Sequence, residues 1–348
     1  MWLSAGVQRI GVAPDRPATK SGGVRLLLVV LLVLVLLPTW TDEEHMPRYA
    51  GTPEVRVRRL ALDERDPART RLGALDFLGS LQFRSGDRAF GGFSALAVSG
   101  RRFTLLSDGG LLFGFSMGPD LNPRNPWFGV LPRGPGRGWS KRERDSESLA
   151  LGPDGRHAWV GFERDNAVWR YSGDFRRAEA SRRPLQMRRW DANGGAEALV
   201  RLRDGSFLVF AESVRGDGGS PALRFDSDPT EPDARVAAFT LVPPAGYEAT
   251  DAAELPDGRV VVLTRRLQRF PPLFTAKLMV VERAAIRAGA RVEGREIATF
   301  APPVLHDNLE GLAITREGGN TIVWIASDDN TSRWQRTLLL KFRLRAGA

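Results

Sequence analysis

The chain has 348 residues, of which 42% are hydrophobic and 26% are charged, a composition typical of a folded globular protein. The absence of cysteine and the presence of only 3 histidines exclude disulfides, thiolate metal sites and the usual zinc centre. The net charge is +9, but the basic residues are interleaved with acids and do not form the basic stripe typical of nucleic-acid binding, so we expect no nucleic-acid partner.

Residues 1–40 are predicted to form a separate N-terminal module. Basic residues precede an unbroken run of Leu and Val at 26–37, which as a helix would be roughly 18 Å long against a hydrocarbon core of about 30 Å. This pattern predicts a secretory signal or a short signal-anchor helix, with the rest of the chain outside the cytoplasm. Because Pro-Thr-Trp at 38–40 is a poor cleavage site, we expect an uncleaved anchor in the inner membrane and a periplasmic or otherwise extracytoplasmic domain.

Residues 41–73 are interpreted as a linker that includes a stretch at 55–62, either an edge strand or part of a degenerate blade. The main domain is expected to span 74–348. Its first apolar segment, 74–83, precedes a series of repeats, and the last repeat ends after only three strands, near Leu344. We therefore expect 74–83 to supply the missing strand and to close a ring, which removes exposed sheet edges.

Five hairpins of one design follow. Each begins and ends with a polar or charged residue, and the midpoint of each pair falls on or beside a glycine. The pairs are Ser94 with Asp108, Glu147 with Glu163, Glu197 with Glu212, Thr250 with Arg265, and Glu310 with Asp328. Glycine suits a tight turn that requires positive φ, and a turn halfway between two residues brings them together at the far end of the hairpin. The pattern predicts one acidic rim, which we define as Asp108, Glu147, Glu163, Glu197, Glu212, Glu310 and Asp328.

The hairpins recur every 50 to 60 residues, slightly longer than the ~40–50 residues of typical propeller blades. Their strands are nearly continuous apolar runs, as expected for strands buried on both faces. Fourth strands are predicted at 185–190, 236–242 and 296–300. We therefore predict an all-β propeller of five four-stranded blades, or six if 55–62 belongs to a degenerate blade. A β-sandwich is the alternative, although it would not require equal hairpins.

Carboxylates gathered at one rim repel one another, so they must be protonated, paired with arginine or bound to a cation. Carboxylates without His or Cys suit Ca²⁺. Alternatively, a buried acid at a strand start could accept backbone N–H groups from the next blade, and acid–arginine pairs could be inter-blade salt bridges. The departures from the repeat, such as Thr250-Asp251 and Arg265, would bring acids and arginines together, as sites that bind phosphate esters do.

These residues resemble the phytase-like family, whose domain is described as carrying esterase-like activity of phytase. The resemblance runs from about Leu75 to Leu344. The segments that carry it are 88–96 (RAFGGFSAL), 106–109 (LSDG), 145–150 (DSESLA), 193–199 (NGGAEAL), 250–251 (TD), 307–313 (DNLEGLA), 327–330 (SDDN) and 335–337 (QRT). The resemblance implies an extracytoplasmic β-propeller whose repeated Glu and Asp residues hydrolyse phosphoesters.

We therefore predict an exported, metal-assisted phosphoester hydrolase that is monomeric, contacts the membrane through its N-terminal helix and acts on an anionic small molecule. Glu147, Glu197 and Glu310 are the predicted catalytic residues. The predicted ligands of a divalent cation, expected to be Ca²⁺, are Asp108, Glu163, Glu212, Asp307 and Asp328. The predicted substrate-binding residues are Arg164, Asp251, Arg265 and Arg336. Two other functions fit the same pattern: a non-catalytic envelope propeller that binds a glycan, lipid head group or protein, and a lactonase- or quinone-type propeller enzyme that depends on Ca²⁺.

Overall fold

The structure is a computed structural model, and it describes residues 47–137, 140, 143–216 and 218–347. The predicted hydrophobic N-terminal helix, the module at 1–40 and the start of the predicted linker lie outside these residues. In the part of the chain that the structure describes, no helix is long and apolar enough to cross a membrane.

The described residues are almost entirely β-strand. Three strands come first: β1 (Val55–Arg59), β2 (Arg71–Leu72) and β3 (Leu75–Ser85). Blade one contains β4 (Phe93–Ser99), β5 (Arg102–Ser107), β6 (Leu111–Met117) and β7 (Pro123–Val130). Blade two contains β8 (Ser146–Leu151), β9 (His157–Phe162), β10 (Ala167–Ser172) and β11 (Ala178–Arg182). Blade three contains β12 (Ala196–Arg201), β13 (Phe207–Ala211), β14 (Ser220–Phe225) and β15 (Val236–Val242).

The chain continues in the same way. Blade four contains β16 (Glu248–Glu254), β17 (Val260–Arg269), β18 (Pro272–Val281) and, after the short β19 (Arg291–Glu293), β20 (Arg295–Phe300). Blade five contains β21 (Leu309–Glu317), β22 (Asn320–Ser327) and β23 (Thr337–Leu344). Within the described ranges, the helical elements are two 3-10 helices, Leu185–Arg189 and Arg283–Ala285.

The strands form five sheets, which confirms the predicted five-bladed propeller. β3 pairs antiparallel with β23 and completes blade five, so the N-terminal strand closes the ring as expected. β1 pairs with the outer side of β3. The stretch at 55–62 therefore begins with an edge strand of blade five, and the six-blade alternative is wrong. The innermost strand of each blade contacts the innermost strands of both neighbours, from β4 through β8, β12, β16 and β21 back to β4.

The hydrophobic core lies between neighbouring blades, which explains why the inner strands lack polar alternation. Every residue of β13 is buried. Between blades five and one, Trp324 packs edge-on against Phe103 with ring centroids 4.7 Å apart. Between blades three and four, Phe210 and Val262 belong to one buried cluster. Each blade thus buries both faces of its sheet against its neighbours.

The five predicted hairpin turns are present, and each has a glycine with positive φ. The φ angles are 59° at Gly100, 68° at Gly155, 88° at Gly205, 93° at Gly258 and 83° at Gly319. A Cβ atom at any of these positions would have no atom within 4 Å. Glycine is therefore needed for the backbone conformation, not for space.

The predicted fourth strand of blade two is wrong. Residues 185–189 form a 3-10 helix, and the fourth strand is β11, which lies earlier in the chain. Met187 and Trp190 are buried, and their spacing of three residues matches the period of a 3-10 helix, not that of a strand. The fourth strands expected at 236–242 and 296–300 are confirmed as β15 and β20.

Candidate functional site

Each hairpin carries a β-bulge at the residue that opens it. In blade two, Ser146 pairs with Phe162 and Ser148 with Gly161, which leaves Glu147 as the extra residue. The same register shift occurs at Ser94, Glu197, Thr250 and Glu310. Bulges bend a strand, re-aim a side chain and are frequent beside active sites. The bulges explain how residues in otherwise buried strands can present side chains at the end of the ring.

Two groups of closely spaced carboxylates come from blades two and three. Asp145, Glu147 and Glu163 form one group of three, and Glu163, Glu197 and Glu212 form a second. Within each group, one carboxylate oxygen from each residue lies within 4.8 Å of the others. Glu163 therefore belongs to both groups. Asp145 was missing from the predicted ligands, and its position two residues before Glu147 was the signal for it.

Burial and mutual repulsion make this cluster hard to ionise fully. Burial raises the pKa of Glu147, Glu197 and Asp328 well above the usual range, and neighbouring carboxylates raise it further. Burial, followed by the charge of Asp145, raises the pKa of Glu163 to about 7. The site therefore favours protons or cations that compensate its negative charge.

Carboxylates of blades one, two and five also lie near one another. The charges of Asp108 and Glu310 raise the pKa of both Glu147 and Asp328. The backbone anchors this side of the site, because the N–H of Asp328 donates to the carbonyl of Asn308 at 2.9 Å. The structure thus brings the acidic rim together at one end of the ring.

Arg265 occupies the position at which the other four blades have an acid. Its Nη2 donates to Glu212 at 2.5 Å, and its Nη1 donates to Asn308 Oδ1 at 2.6 Å and to Glu310. Burial raises the pKa of Glu310 although the positive charge of Arg265 opposes this. Despite its burial, Arg265 has a raised pKa because of these carboxylates. The guanidinium group joins blades three, four and five.

Hydroxyl groups replace the opening acid in two blades and fasten those blades to their neighbours. Ser94 Oγ donates to the carbonyl of Ser146 in blade two at 2.8 Å. Thr250 Oγ1 donates to the carbonyl of Leu309 in blade five at 3.2 Å. At Ser94 and Thr250, the residue that opens the hairpin therefore has the structural role of joining neighbouring blades.

Asp251 also contacts the next blade. Its Oδ2 accepts the backbone N–H of Leu312 in blade five at 2.6 Å, and its Oδ1 accepts the N–H of Ala252 at 2.8 Å. The residue is 5% exposed. Both oxygens are engaged by the backbone, so these contacts give no support to its predicted role in substrate binding.

Three other predicted residues lie in ion pairs at the edge of the site. Arg164 Nε donates to Asp145 at 2.9 Å, and Arg336 Nε donates to Asp307 at 3.0 Å. Arg336 also donates to the carbonyl of His306 at 2.8 Å. Asp307 therefore has an arginine partner, and its predicted role as a metal ligand stays a prediction.

The opposite end of the ring, where the hairpin glycines lie, has different chemistry. A cavity of about 360 Å³ opens there between the five innermost strands. Apolar residues such as Leu96, Leu149 and Leu199 form much of its wall. Its Glu254 is paired with Arg203 at 3.3 Å. The clustered carboxylates are thus confined to the rim end of the hairpins.

Comparison with known families agrees with this architecture. The sequence model of the family described as "Phytase-like: Esterase-like activity of phytase" matches residues 88–331, a stretch that contains the whole acidic rim. The chain belongs to the phytase-like family. No curated protein sequence matches this phytase-like chain significantly.

Two solved structures are among those to which the chain is similar. The phytase-like propeller is 14% identical to the major Malassezia sympodialis allergen Mala s 1, with a TM-score of 0.43 over 87% of this chain and 96% of the allergen. It is 11% identical to the β-propeller domain of Cps50 (Swd1) from Myceliophteria thermophila, with a TM-score of 0.39 over 84% of this chain and 99% of that domain.

Proposed function

We propose that the acidic rim is the active site of a phosphoester hydrolase that uses a divalent cation, expected to be Ca²⁺. The proposal depends on one observation: two clusters of three acidic residues both include Glu163, and within each cluster one oxygen per residue lies within 4.8 Å of the others. The family description, which names esterase-like activity of phytase, supports the same chemistry.

The residues present fit such a cation. Two oxygens bound to one Ca²⁺ at 2.3–2.6 Å lie at most roughly 5 Å apart, and the carboxylate oxygens here lie within 4.8 Å. Their donor set is all oxygen, which hard cations prefer. In this proposal Glu163 holds the cation together with either Asp145 and Glu147 or Glu197 and Glu212, the two groups whose oxygens lie within 4.8 Å of one another. A bound cation would polarise a phosphoryl oxygen and acidify a water molecule.

The chain's own residues supply the remaining functions. Glu147, Glu197 and Glu310 lie on the bulges, and each has a raised pKa. A raised pKa suits a carboxylate that takes a proton from water near neutral pH. Arg265 would donate a hydrogen bond to the phosphoryl group from the same end of the ring. We leave Asp251 out of the proposed contacts because both its oxygens are engaged by the backbone.

We also propose that the propeller acts outside the cytoplasm and is tethered to the inner membrane. The support is the sequence at 26–37, an unbroken run of Leu and Val after a basic segment. The enzyme would then act as a monomer on an anionic small molecule in the extracytoplasmic space.

The test is phosphatase and phosphodiesterase turnover by the purified full chain, with Ca²⁺ or with a chelator. We expect the chelator to abolish turnover and Glu163→Gln to lower kcat at least about 100-fold, because removal of one electrostatic group costs about that much. The matched control is Glu317→Gln, since Glu317 is 48% exposed and pairs with Lys341 away from the rim. Calcium binding without turnover on a broad panel of esters would instead favour the non-catalytic binding propeller.

A further inference from the structure

A second cavity lies beside the acidic rim, between blades four and five. Its volume is about 600 Å³. One wall is the start of β18, including Pro272 and Phe274, and the other contains Trp334, in the loop between β22 and β23. The Arg265 guanidinium carbon lies 5.8 Å from the centroid of the Phe274 ring. The same arginine that contacts the rim acids therefore lies against Phe274, a residue of the cavity wall.

Two aromatic side chains near the cavity are almost fully exposed. Trp334 is 94% exposed and Phe270 is 92% exposed, the highest values for large hydrophobic residues in the described part of the chain. In folded proteins, Trp side chains are on average highly buried. Trp334 lines the cavity, whereas Phe270, in the β17–β18 turn, does not. An exposed aromatic that borders a cavity is well placed to stack on a ligand.

The charges around the cavity indicate what part of a ligand it would take. Asp307 and Arg336 both line it, and their ion pair at 3.0 Å leaves that side without net charge. The positive group of Arg265 lies beyond Phe274, towards the rim acids. Because Arg265 is already paired with Glu212 and Glu310, it would take an anionic group once a bound cation compensates the rim acids. A ligand that spans both regions would then have its anionic end near Arg265 and a flat, uncharged end between Phe274 and Trp334.

We propose that this cavity binds a flat aromatic group, so that the preferred substrates are aryl phosphate esters. The proposal rests on the proposed function, since it places the leaving group of the same reaction. Hydrolysis adds water across the bond between phosphorus and the aryl oxygen: the hydroxyl stays on phosphorus and the other proton ends on the released aryl oxygen. Trp334 is a specificity residue in this scheme and takes no part in bond cleavage.

The test uses binding, which does not depend on turnover. Calorimetry compares phenylphosphonate with methylphosphonate, two non-hydrolysable anions that differ in the aromatic ring, in the Ca²⁺-loaded full chain. We expect phenylphosphonate to bind about 10-fold more tightly because of stacking, and Trp334→Ala to reduce this preference to about 2-fold or less. Phe270→Ala is the control, because it removes an equally exposed aromatic that does not line the cavity.

Equal affinity for the two phosphonates would overturn the proposal, and so would an equal effect of Phe270→Ala and Trp334→Ala. The latter result would indicate a general hydrophobic surface, such as one that contacts lipid. Phenyl-selective binding without hydrolysis of any ester would refute the proposed function but support this cavity as a site for aromatic anions. Hydrolysis of alkyl and aryl esters with equal KM would refute the cavity and leave the proposed function in place.

Discussion

Replacement of Arg265 by alanine should destabilise the protein strongly. Arg265 is 20% exposed, and its partners Glu212 and Glu310 are 15% and 11% exposed. Removal of one partner from such a buried pair leaves uncompensated charge and costs about 3–5 kcal/mol. Glu310 would keep the hydrogen bond from Asn308 Nδ2 at 2.9 Å but would lose its cationic partner. We expect this loss in the free energy of unfolding at pH 8, measured by urea denaturation with a chelator present.

A matched control separates burial from the mere loss of a salt bridge. Arg343 donates to Asp76 at 2.8 Å, and its side chain is 45% exposed. Exposed ion pairs contribute little to stability, so Arg343→Ala should lower the free energy of unfolding far less than Arg265→Ala does.

The loss caused by Arg265→Ala should also depend on charge compensation. It should shrink at pH 5, where the rim carboxylates with raised pKa take up protons, and it should shrink when Ca²⁺ replaces the chelator. A loss equal to that of Arg343→Ala at pH 8, or an equally large loss at pH 5 and pH 8, would show that Arg265 does not compensate the rim acids.

Two further predictions concern buried carboxylates. Burial and the charge of Asp145 raise the pKa of Glu163 from 4.5 to about 7. In the metal-free protein Glu163 therefore contributes about 3 kcal/mol of stability below pH 4.5, and this contribution is lost as the pH rises through 7. In urea unfolding between these pH values, Glu163→Gln should reduce the dependence of the free energy of unfolding on pH. Asp251→Asn replaces a carboxylate that accepts the backbone N–H groups of Ala252 and Leu312. It should lower the free energy of unfolding by about 1–3 kcal/mol, while the Ca²⁺ affinity measured by calorimetry should not change. An unchanged free energy of unfolding would contradict the role of Asp251 in joining two blades.

The blade repeat could be predicted from sequence because two local signals agreed. Glycines such as Gly155 fix where a hairpin turns, and the turn fixes which residues meet at its other end. The strand that closes the ring could also be predicted from sequence, since the apolar segment at 74–83 has no partner in the first repeat and the last repeat lacks a strand. Local turn chemistry and the count of strands were thus sufficient for the fold and for the location of the rim.

Features that depend on register or on distant partners were not readable. The bulge at Glu147 changes the pairing by one residue without any residue type that demands it. The pairing of Asp307 with Arg336 depends on two loops of blade five that the sequence places 29 residues apart. Residues 185–189 form a 3-10 helix where the sequence predicts a strand, because a short apolar run has no clear period.

The departure of blade four from the repeat determines on which side of the proposed site the cation and the anionic ester would lie. Four blades end the hairpin with an acid, and a ring of five acids would have no preferred orientation. Arg265 in blade four breaks this equivalence: the triads around Glu163 lie in blades two and three, while Arg265, Glu310 and the cavity wall of Phe274 lie in blades four and five. In our proposal the cation therefore lies on the side of blades two and three, and the anionic ester enters from the side of blades four and five.

A variant that moves the arginine, such as Glu212→Arg with Arg265→Glu, should reverse this arrangement of charges and lose the preference for aryl phosphonates while keeping the fold. If the double variant kept that preference, the orientation argued from Arg265 would be wrong.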